Sequence, residues 1–375
     1  MKILQISNYY PPHIGGVEQV ACDIARVLSE EGAEQKVFCF NHEKGDRTQD
    51  VNGVCVVRAG CFAKVASQSL SLSYGRLLRR TFREFAPDVV IFHYPNPFGA
   101  HFLKKLLKKR PACKLILWWH LDITRQKLLG KFFEGQTKWL LRRAQRVIAT
   151  SPNYIEGSRH LLSVREKCTV IPCCVSDERV CADDGARARA QQIRAEHAGK
   201  FLCFALGRHV PYKGMEYLVR AAKLLDDTFF VAIGGSGPLT QQLKALAQGQ
   251  KNVAFLGRIS DVELKAWLLA CDVFCFPSVT KNEAFGIALA EAMAYEKPAV
   301  TFTIAGSGVN YVSLDKVTGI ECPNGDVEAY AQALRTLESD GALCFRYGRA
   351  ARERVMEYFT YGRFAQQVRR LIAEL

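Results

Sequence analysis

Two glutamates of the second half of the chain, Glu283 and Glu291, stand eight residues apart with Gly286 between them. The apolar stretch Asp272–Phe276 before them is strand-like, and the Ala- and Leu-rich stretch Ile287–Tyr295 after them is helix-like. Glu283 is therefore predicted in a loop at the end of a strand, and Glu291 early in a helix. A glycine there lets a ligand approach the backbone, and the helix N-terminus offers N–H groups to an anion. An anion cradle beside acids that can hold hydroxyl groups fits a nucleotide-sugar.

A second candidate site begins where the strand-like stretch Phe201–Leu206 ends. Arg208 and Lys213 follow on one loop, and two cations at this spacing can reach a diphosphate from one side. The next glycine-rich turn, 234–237, contains Gly235. This turn is interpreted either as lying under the donor or as allowing only a sharp bend. Base contacts are expected from the loop that contains Ile259.

In the first half of the chain, Gly15 and Gly16 form a strand-to-helix turn that can bring helix N–H groups to an anion. The turn is not a G-x-G-x-x-G motif, and no acid follows the second strand, which disfavours a dinucleotide-dependent dehydrogenase. His120 and Asp122 follow an apolar strand, and His93 ends the strand before it. His120 is predicted to contact a sugar hydroxyl or the charge near the anomeric carbon. Asp122 and His93 are candidates for an acceptor or sugar pocket.

The sequence contains no Asp-x-Asp pair of the kind that holds a divalent cation in many nucleotide-sugar enzymes. The triplets Asp261–Glu263 and Asp326–Glu328 stand at predicted helix starts, where acids cap the helix or interact with its dipole. We therefore predict a site without metal or cofactor. Arg208, Lys213 and helix N–H groups would neutralise a leaving diphosphate instead.

Strand and helix patterns alternate along both halves, which is typical of an α/β fold built from doubly wound parallel sheets. The pattern pauses near 172–180 and restarts at Phe201. With 375 residues, two domains are expected, because one core rarely grows that large. The predicted domains are 1–172 and 178–355, with a helix in 356–375 that could pack back on the first. Ligands of such sheets bind at the carboxyl ends of the strands, here in a cleft between the halves.

The net charge of +14 is concentrated in the first half, where residues 1–175 carry 27 Lys and Arg against 14 acids. Lys104, Lys105, Lys108 and Lys109 alternate with apolar residues at helical spacing, and a second basic helix includes Arg76 to Arg83. Either these are solvated helix faces or they contact an anionic membrane surface. No nucleic-acid motif accompanies them, so nucleic acid is not an expected partner.

Fourteen cysteines, many in apolar runs, are interpreted as buried thiols of a reducing cytoplasm. The first seven residues form a short strand pattern, so no signal peptide is expected. The prediction is a cytoplasmic protein, peripheral at the inner face of the cell membrane.

Taken together, these motifs resemble those of retaining glycosyltransferases of family 4, which have the GT-B fold of two Rossmann-like domains facing a central cleft. The resemblance covers nearly the whole chain, from Tyr10–Glu18 through Gly207–Gly214 to Glu283–Met293. The segments 118–127 and 149–154 are similar to members that build bacterial surface polysaccharides, often mannosyltransferases. Leu121, between His120 and Asp122, departs from the small polar residue expected there and could narrow the pocket.

The resemblance implies a role for each matching residue. Arg208 and Lys213 would bind the donor diphosphate, Glu291 the ribose, and Glu283 the donor sugar. The amides of Phe285, Gly286 and Ile287 would lie over the phosphates and sugar, Gly16 at the phosphate and His120 at the sugar. The expected partners are a GDP- or UDP-sugar, with GDP-mannose favoured, and a lipid-linked glycan acceptor.

Two other interpretations remain open at the level of sequence. The chain could be another GT-B enzyme, such as a nucleotide-sugar epimerase, which would need no acceptor. It could instead be a basic, non-catalytic protein that binds membranes or other anions, with binding that depends steeply on salt and survives loss of Glu283 or Lys213.

Overall fold

The computed structural model describes residues 1–13, 15–65, 68–123 and 127–375. The chain divides into two compact units. Unit 1 contains Met1–Ile171 and Phe364–Leu375, and unit 2 contains Pro172–Arg363.

Unit 1 is built on an eight-stranded sheet with a separate two-stranded hairpin. Its strands are β1 (Lys2–Ile6), β2 (Glu34–Phe40), β3 (Arg47–Val51), β4 (Val54–Ala59), β5 (Ala63–Val65), β6 (Gln68–Leu70), β7 (Val89–Tyr94), β8 (Lys114–Trp119), β9 (Arg146–Ala149) and β10 (Cys168–Val170). The helices of its segment Met1–Ile171 are α1 (Gly16–Glu30), α2 (Tyr74–Phe85), α3 (Pro97–Lys109), α4 (Lys127–Arg143), α5 (Pro152–Glu156) and α6 (Arg159–Leu162).

The large sheet of unit 1 runs β10-β9-β8-β7-β1-β2-β4-β3, and only β3 is antiparallel to its neighbour. The chain winds outward in both directions from β1 and β7, so the strand order reverses between these two strands. The two strands are buried along almost their whole length. Central parallel strands that are covered on both faces need continuous apolar runs, which explains why they stood out in the sequence.

Unit 2 contains a six-stranded parallel sheet in the order β13-β12-β11-β14-β15-β16. Its helices are α7 (Asp177–Val180), α8 (Asp184–Glu196), α9 (Met215–Ala222), α10 (Thr240–Leu246), α11 (Asp261–Ala270), α12 (Ile287–Ala294), α13 (Val309–Val312), α14 (Val327–Ser339) and α15 (Gly341–Tyr358). Its strands are β11 (Phe201–Leu206), β12 (Phe229–Gly234), β13 (Val253–Gly257), β14 (Val273–Phe276), β15 (Ala299–Phe302) and β16 (Gly319–Cys322). This is the doubly wound order, with its reversal between β11 and β14.

The last helix, α16 (Tyr361–Ala373), returns the chain to unit 1. The ring of Phe364 lies 6.0 Å from that of Trp118 in β8. Arg369 pairs with Glu30 at 2.9 Å and with Glu31 at 2.6 Å, where α1 ends. A buried aromatic contact together with charge pairs therefore fixes the final segment to unit 1.

The strand-like stretches Phe201–Leu206 and Asp272–Phe276 of the sequence are present as β11 and β14, with ends within one residue of the prediction. β3, the β5–β6 hairpin and β16 were not predicted. β3 is a polar edge strand that is mostly exposed, and the other three strands have only three or four residues each. Such segments lack the apolar run that marks a central strand.

Candidate functional site

The two motifs of the second half meet at the carboxyl edge of the unit 2 sheet. The loop with Arg208 and Lys213 follows β11, and the loop with Glu283 follows β14. β11 and β14 are hydrogen-bonded neighbours, and the strand order reverses between them. In open α/β sheets this reversal opens a crevice beyond the strand ends, which is where ligands bind.

Lys213 and Glu283 are in direct contact at this edge. Lys213 Nζ lies 2.5 Å from Glu283 Oε2, and both side chains are about seven-eighths buried, at 13% and 12% exposure. Lys213 Nζ also lies 4.9 Å from the centre of the Phe276 ring, at the end of β14. Ser278 Oγ donates a hydrogen bond to the same carboxylate oxygen at 3.2 Å. The ammonium group is thus held in place by a carboxylate and an aromatic face.

Glycines allow the loops around this pair to approach each other closely. Gly214 has φ of 62°, and a Cβ built on it would overlap the carbonyl oxygen of Pro277, after β14. A Cβ on Gly308 would likewise overlap the carbonyl oxygen of Ala284. Because only glycine fits these crossings, the Lys213 loop and the loop that contains Gly308 each lie closer to the Glu283 loop than a side chain would permit.

Gly286 has φ of 94° and forms the N-cap of α12, without a side-chain cap. Phe285 beside it is 3% exposed, and its ring packs edge-on against Phe359 at 5.3 Å. With this side chain in the core, Phe285 presents its backbone at the start of the helix. At the start of α12 the N–H groups of Leu289 and Ala290 donate to the Gly286 carbonyl at 3.0 and 3.1 Å, so those of Ile287 and Ala288 are the first amides without an intrahelical acceptor. The anion cradle predicted from the sequence would consist of these amides, and its role toward a ligand stays a prediction.

Glu291 lies in the second turn of α12 and is 9% exposed. Burial raises the pKa of its carboxyl to about 7. Attraction to Arg179 opposes this increase, and repulsion from Asp261 adds to it. Arg179 Nε lies 3.8 Å from Glu291 Oε1, and Arg179 Nη1 lies 3.1 Å from Asp261 Oδ1. The Tyr295 hydroxyl donates to the Arg179 carbonyl at 3.0 Å.

Arg179 did not emerge from the sequence. It lies in the four-residue helix α7, directly after the pause in the strand pattern, and its contact with Glu291 spans 112 positions. No local periodicity or motif marks a residue whose role depends on packing against a distant helix. Its place beside the predicted ribose-binding acid makes it a candidate member of the site.

Three further predicted residues lie at the same edge of the sheet. Arg208 is exposed, and its Nη2 donates to the Tyr212 hydroxyl at 3.3 Å, which leaves most of its donors facing solvent. Gly235 has φ of 111°, and a Cβ there would overlap the carbonyl oxygen of Gly207, so the loops after β11 and β12 touch through backbone. Ile259 is half-buried just after β13, three strands from β14. Their roles toward a ligand stay predictions.

In unit 1, Gly15 is the N-cap of α1, and Gly16 is its first residue. Glu18 in the first turn folds back, so that a Cβ built on Gly15 would overlap its carboxylate. His13 Nδ1 lies 3.8 Å from the other carboxylate oxygen. A negative group therefore already lies close to the helix N-terminus that the sequence assigned to a phosphate, as the helix dipole favours.

His120 and His93 form a buried pair at the carboxyl edge of the unit 1 sheet. His93 in β7 is fully buried, and its Nδ1 lies 2.9 Å from Nε2 of His120, just after β8. His93 Nε2 lies 3.2 Å from Oε1 of Gln5, which is fully buried in β1. Burial lowers the pKa of His120 to about 3 and, with repulsion from His120, holds the pKa of His93 well below its ordinary value. Both rings are neutral, and His93 lies behind His120.

Asp122 is 6% exposed and holds its own loop in place. Its Oδ1 accepts from Trp119 Nε1 at 3.1 Å and from Ser158 Oγ at 2.8 Å, while its N–H donates to the Tyr154 hydroxyl at 2.7 Å. These contacts tie the end of β8 to α5 and to the cap of α6. They fix the backbone next to His120, and the predicted role of Asp122 in a pocket stays a prediction.

Within the ranges that the structure covers, no group of three or more His, Cys, Asp or Glu side chains is arranged to hold a metal ion. Over the same ranges, no helix combines the length and the apolar character needed to cross a membrane.

The chain matches two protein-family models, one for each half. Residues 14–179 match the model described as Glycosyltransferase Family 4, and residues 187–354 match the model described as Glycosyl transferases group 1. Among characterised relatives, the chain is 32% identical over 367 residues to the D-rhamnosyltransferase WbpZ of Pseudomonas aeruginosa, covering 96% of this chain and 92% of that one. It is 29% identical over 363 residues to the O-antigen chain mannosyltransferase C of Escherichia coli, covering 96% and 95%.

Solved structures show the same fold at lower identity. The sucrose-phosphate synthase of Thermosynechococcus elongatus superposes with a TM-score of 0.83 at 20% identity, covering 100% of this chain and 98% of that one. Anabaena HepE in complex with UDP-glucose gives a TM-score of 0.79 at 17% identity, with 100% of both chains covered. The predicted fold class, α/β of the GT-B type with two Rossmann-like domains, is confirmed.

Proposed function

Because the chain belongs to glycosyltransferase family 4, we propose that it transfers a hexose from a nucleoside-diphosphate sugar to a glycan acceptor with retention of anomeric configuration. The observation that carries this proposal is the contact between Lys213 and Glu283 at the reversal point of the unit 2 sheet. Two motifs about 70 positions apart in the chain converge there, one suited to phosphate and the other to hydroxyl groups.

The donor diphosphate is assigned to Lys213, Arg208 and the first amides of α12. A phosphate oxygen can replace Glu283 as the partner of Lys213, which frees the carboxylate to accept hydrogen bonds from the donor sugar. Glu291 is assigned to the ribose hydroxyls. The helix amides and the two cations supply positive charge where the leaving diphosphate becomes more negative, which is the charge that a divalent cation would otherwise neutralise.

The reaction that fits these groups is a same-face substitution. The bond between the anomeric carbon and the diphosphate oxygen breaks, and the acceptor oxygen bonds to the same face of that carbon. The acceptor proton passes to the leaving diphosphate oxygen, so the nucleoside diphosphate departs with the proton. We assign His120 and Glu283 to the sugar, where a neutral imidazole and a carboxylate tolerate the positive charge that develops.

The donor that we favour is GDP-mannose, with a UDP-sugar next. The first preference is supported by relatives whose names specify mannosyl and D-rhamnosyl transfer, and the second by a structural neighbour solved with UDP-glucose. The name of the Escherichia coli relative also supports an acceptor in surface glycan biosynthesis, carried on a lipid or on the growing polysaccharide.

The basic surface of unit 1 is assigned to an anionic membrane that carries this acceptor, from the cytoplasmic side. In α2 the exposed residues recur at helical spacing and form one arginine face: Arg76, Arg79, Arg80 and Arg83. Of these, Arg80 pairs with Glu84 and Arg76 with Asp46. Phe62 and Leu72 flank the hairpin before α2 and are 63% and 89% exposed. Arginines beside exposed apolar side chains suit the headgroup region of anionic lipid.

Co-sedimentation with vesicles tests this surface. We expect binding to vesicles that contain phosphatidylglycerol, weakening as salt increases. Replacing the four arginines of α2 by Gln should abolish it. Replacing Arg346, Arg349 and Arg352, which are exposed on α15 of unit 2, should leave it unchanged. Equal loss in both variants, or equal binding to neutral vesicles, would contradict the assignment.

A thermal-shift panel of nucleotide-sugars without added metal tests the donor site. A donor at about 100 times its dissociation constant stabilises the folded protein by about 2.7 kcal/mol, which is a readily measured shift. We expect one donor to raise the melting temperature of the wild type and of Lys223→Met, whose lysine is exposed on unit 2, but not that of Lys213→Met. A donor that protects all three proteins equally would place the diphosphate elsewhere.

Product analysis separates a transferase from an epimerase. A transferase releases nucleoside diphosphate in proportion to the acceptor present, whereas an epimerase converts the donor without one. The transferase assignment predicts release that depends on acceptor and falls in Glu283→Gln, with Glu338→Gln as the exposed control. Conversion of the donor in the absence of acceptor would contradict it.

A further inference from the structure

Three neighbouring strands of unit 1 place a chain of hydrogen-bonding side chains behind His120. β8 precedes His120, β7 carries His93, and β1 carries Gln5, and these strands pair in that order. The contacts run from His120 Nε2 to His93 Nδ1 at 2.9 Å and from His93 Nε2 to Gln5 Oε1 at 3.2 Å. The two imidazole rings lie 9° from parallel. Two of the three side chains are fully buried, and His120 at the end is 6% exposed.

The direction of these two hydrogen bonds follows from Gln5, the last of the three side chains. The Gln5 amide is oriented with its oxygen toward His93 Nε2, where an oxygen can only accept a hydrogen bond, and with its own Nε2 buried and without a partner among the described residues. With the amide in this orientation, His93 carries its proton on Nε2, which leaves Nδ1 with a lone pair. That lone pair accepts the Nε2–H of His120. Each ring is then neutral with one fixed tautomer, and His120 is left with an unprotonated Nδ1, the ring nitrogen for which the described residues provide no partner.

We propose that His93 and Gln5 are positioning residues that hold His120 as a neutral imidazole with its proton on Nε2, so that Nδ1 accepts a hydrogen bond from a sugar hydroxyl. The assignment of that hydroxyl rests on the proposed function, whereas the tautomer itself does not.

This arrangement suits a reaction in which the sugar becomes positively charged. An imidazolium next to the anomeric centre would repel that charge, and its buried site would make the repulsion strong. A lone pair directed at a sugar hydroxyl orients the donor without adding positive charge. The His93 ring and the Gln5 amide thus determine which ring nitrogen of His120 can accept a hydrogen bond, as residues in contact with a histidine ligand or base commonly do.

Nitrogen NMR of histidine-labelled, ligand-free protein measures the tautomer directly. The signals of His120 are identified by their absence in His120→Asn. At neutral pH we expect Nε2 of His120 to be protonated and Nδ1 to be bare, in a single tautomer. A protonated Nδ1, an imidazolium, or an average of two tautomers would overturn the proposal. This readout needs no donor or acceptor, so it stands apart from the outcome of the transferase assays.

Two substitutions at one position separate hydrogen bonding from packing. His93→Asn keeps an acceptor oxygen near the position of Nδ1, whereas His93→Leu fills similar space without one. We expect the Leu variant to show both tautomers of His120 and about a tenfold loss in kcat, the scale of one hydrogen bond, with little change in KM for the donor. The Asn variant should keep the single tautomer and recover most of kcat. Equal behaviour of the two folded variants would mean that His93 only fills space.

Discussion

Replacement of Lys213 by Met is expected to affect stability and catalysis in separable ways. The pair that it breaks, with 2.5 Å between Lys213 Nζ and Glu283 Oε2, is largely buried. At that separation two unit charges attract by roughly 6 to 7 kcal/mol for an effective dielectric constant of about 20. The cost of removing both ions from water offsets most of this, which leaves a coupling of about 2 kcal/mol.

A double-mutant cycle measures that coupling. Lys213→Met leaves the mostly buried Glu283 without its cation, and Glu283→Gln leaves Lys213 without its carboxylate. Each single variant should lose about 2 kcal/mol, or about 4 to 8 °C in melting temperature for a unit of this size. The double variant should lose no more than either single one, because it leaves no unpaired charge.

We do not expect the activity of the double variant to follow the same pattern as its stability. Lys213 is assigned to the diphosphate and Glu283 to the sugar, so the double variant lacks both groups. We expect each single variant to lose about 100-fold in kcat/KM and the double variant to lose at least as much. Unfolding by denaturant and initial rates of nucleoside diphosphate release give the two readouts. Additive stability losses, or a double variant with recovered activity, would refute the reasoning.

Three further predictions concern the same edge of unit 2. The raised pKa of Glu291 means that the folded chain holds an extra proton between its ordinary pKa of 4.5 and about 7. Its contribution to stability therefore falls as pH rises through this window, by about 3 kcal/mol, and Glu291→Gln should gain stability relative to wild type from about pH 5 to about pH 8 in denaturant titrations. Arg179→Ala should weaken donor binding at neutral pH, measured by calorimetry, because the pKa of Glu291 then rises further, while the exposed Arg220→Ala should not. Gly308→Ala should cost about 2 kcal/mol or more and reduce donor affinity, because its Cβ displaces the loop at Ala284, whereas Gly341→Ala has open space and should be nearly neutral in thermal unfolding.

Much of the fold could be predicted because central parallel strands are apolar along their whole length. β1, β7 and β11 are buried on both faces and stand out against the helices between them. β3 is polar and at an edge, and β5, β6 and β16 interrupt their apolar residues with polar ones over only three or four positions. Their positions depend on pairing with partners elsewhere, which local patterns do not specify.

The residues of the candidate site likewise divide into those that the sequence could bring together and those that required the structure. Lys213 and Glu283 could be brought together from the sequence, because each follows a predicted central strand, and parallel strands end at one edge. The position of His93 behind His120 required the register of three strands. Arg179 required the packing of a short helix against α12. Contacts of that kind depend on tertiary structure, and nothing in the local sequence specifies them.

The most direct test of the donor site is a crystal structure with the nucleotide-sugar that gives the largest thermal shift. The diphosphate is predicted to lie beyond the ends of β11 and β14, within hydrogen-bonding distance of Lys213 Nζ and the first amides of α12. Lys213 should have exchanged Glu283 for a phosphate oxygen. A diphosphate bound at another edge of the sheet, or Lys213 still paired with Glu283 while the donor is bound, would contradict the assignment of this site.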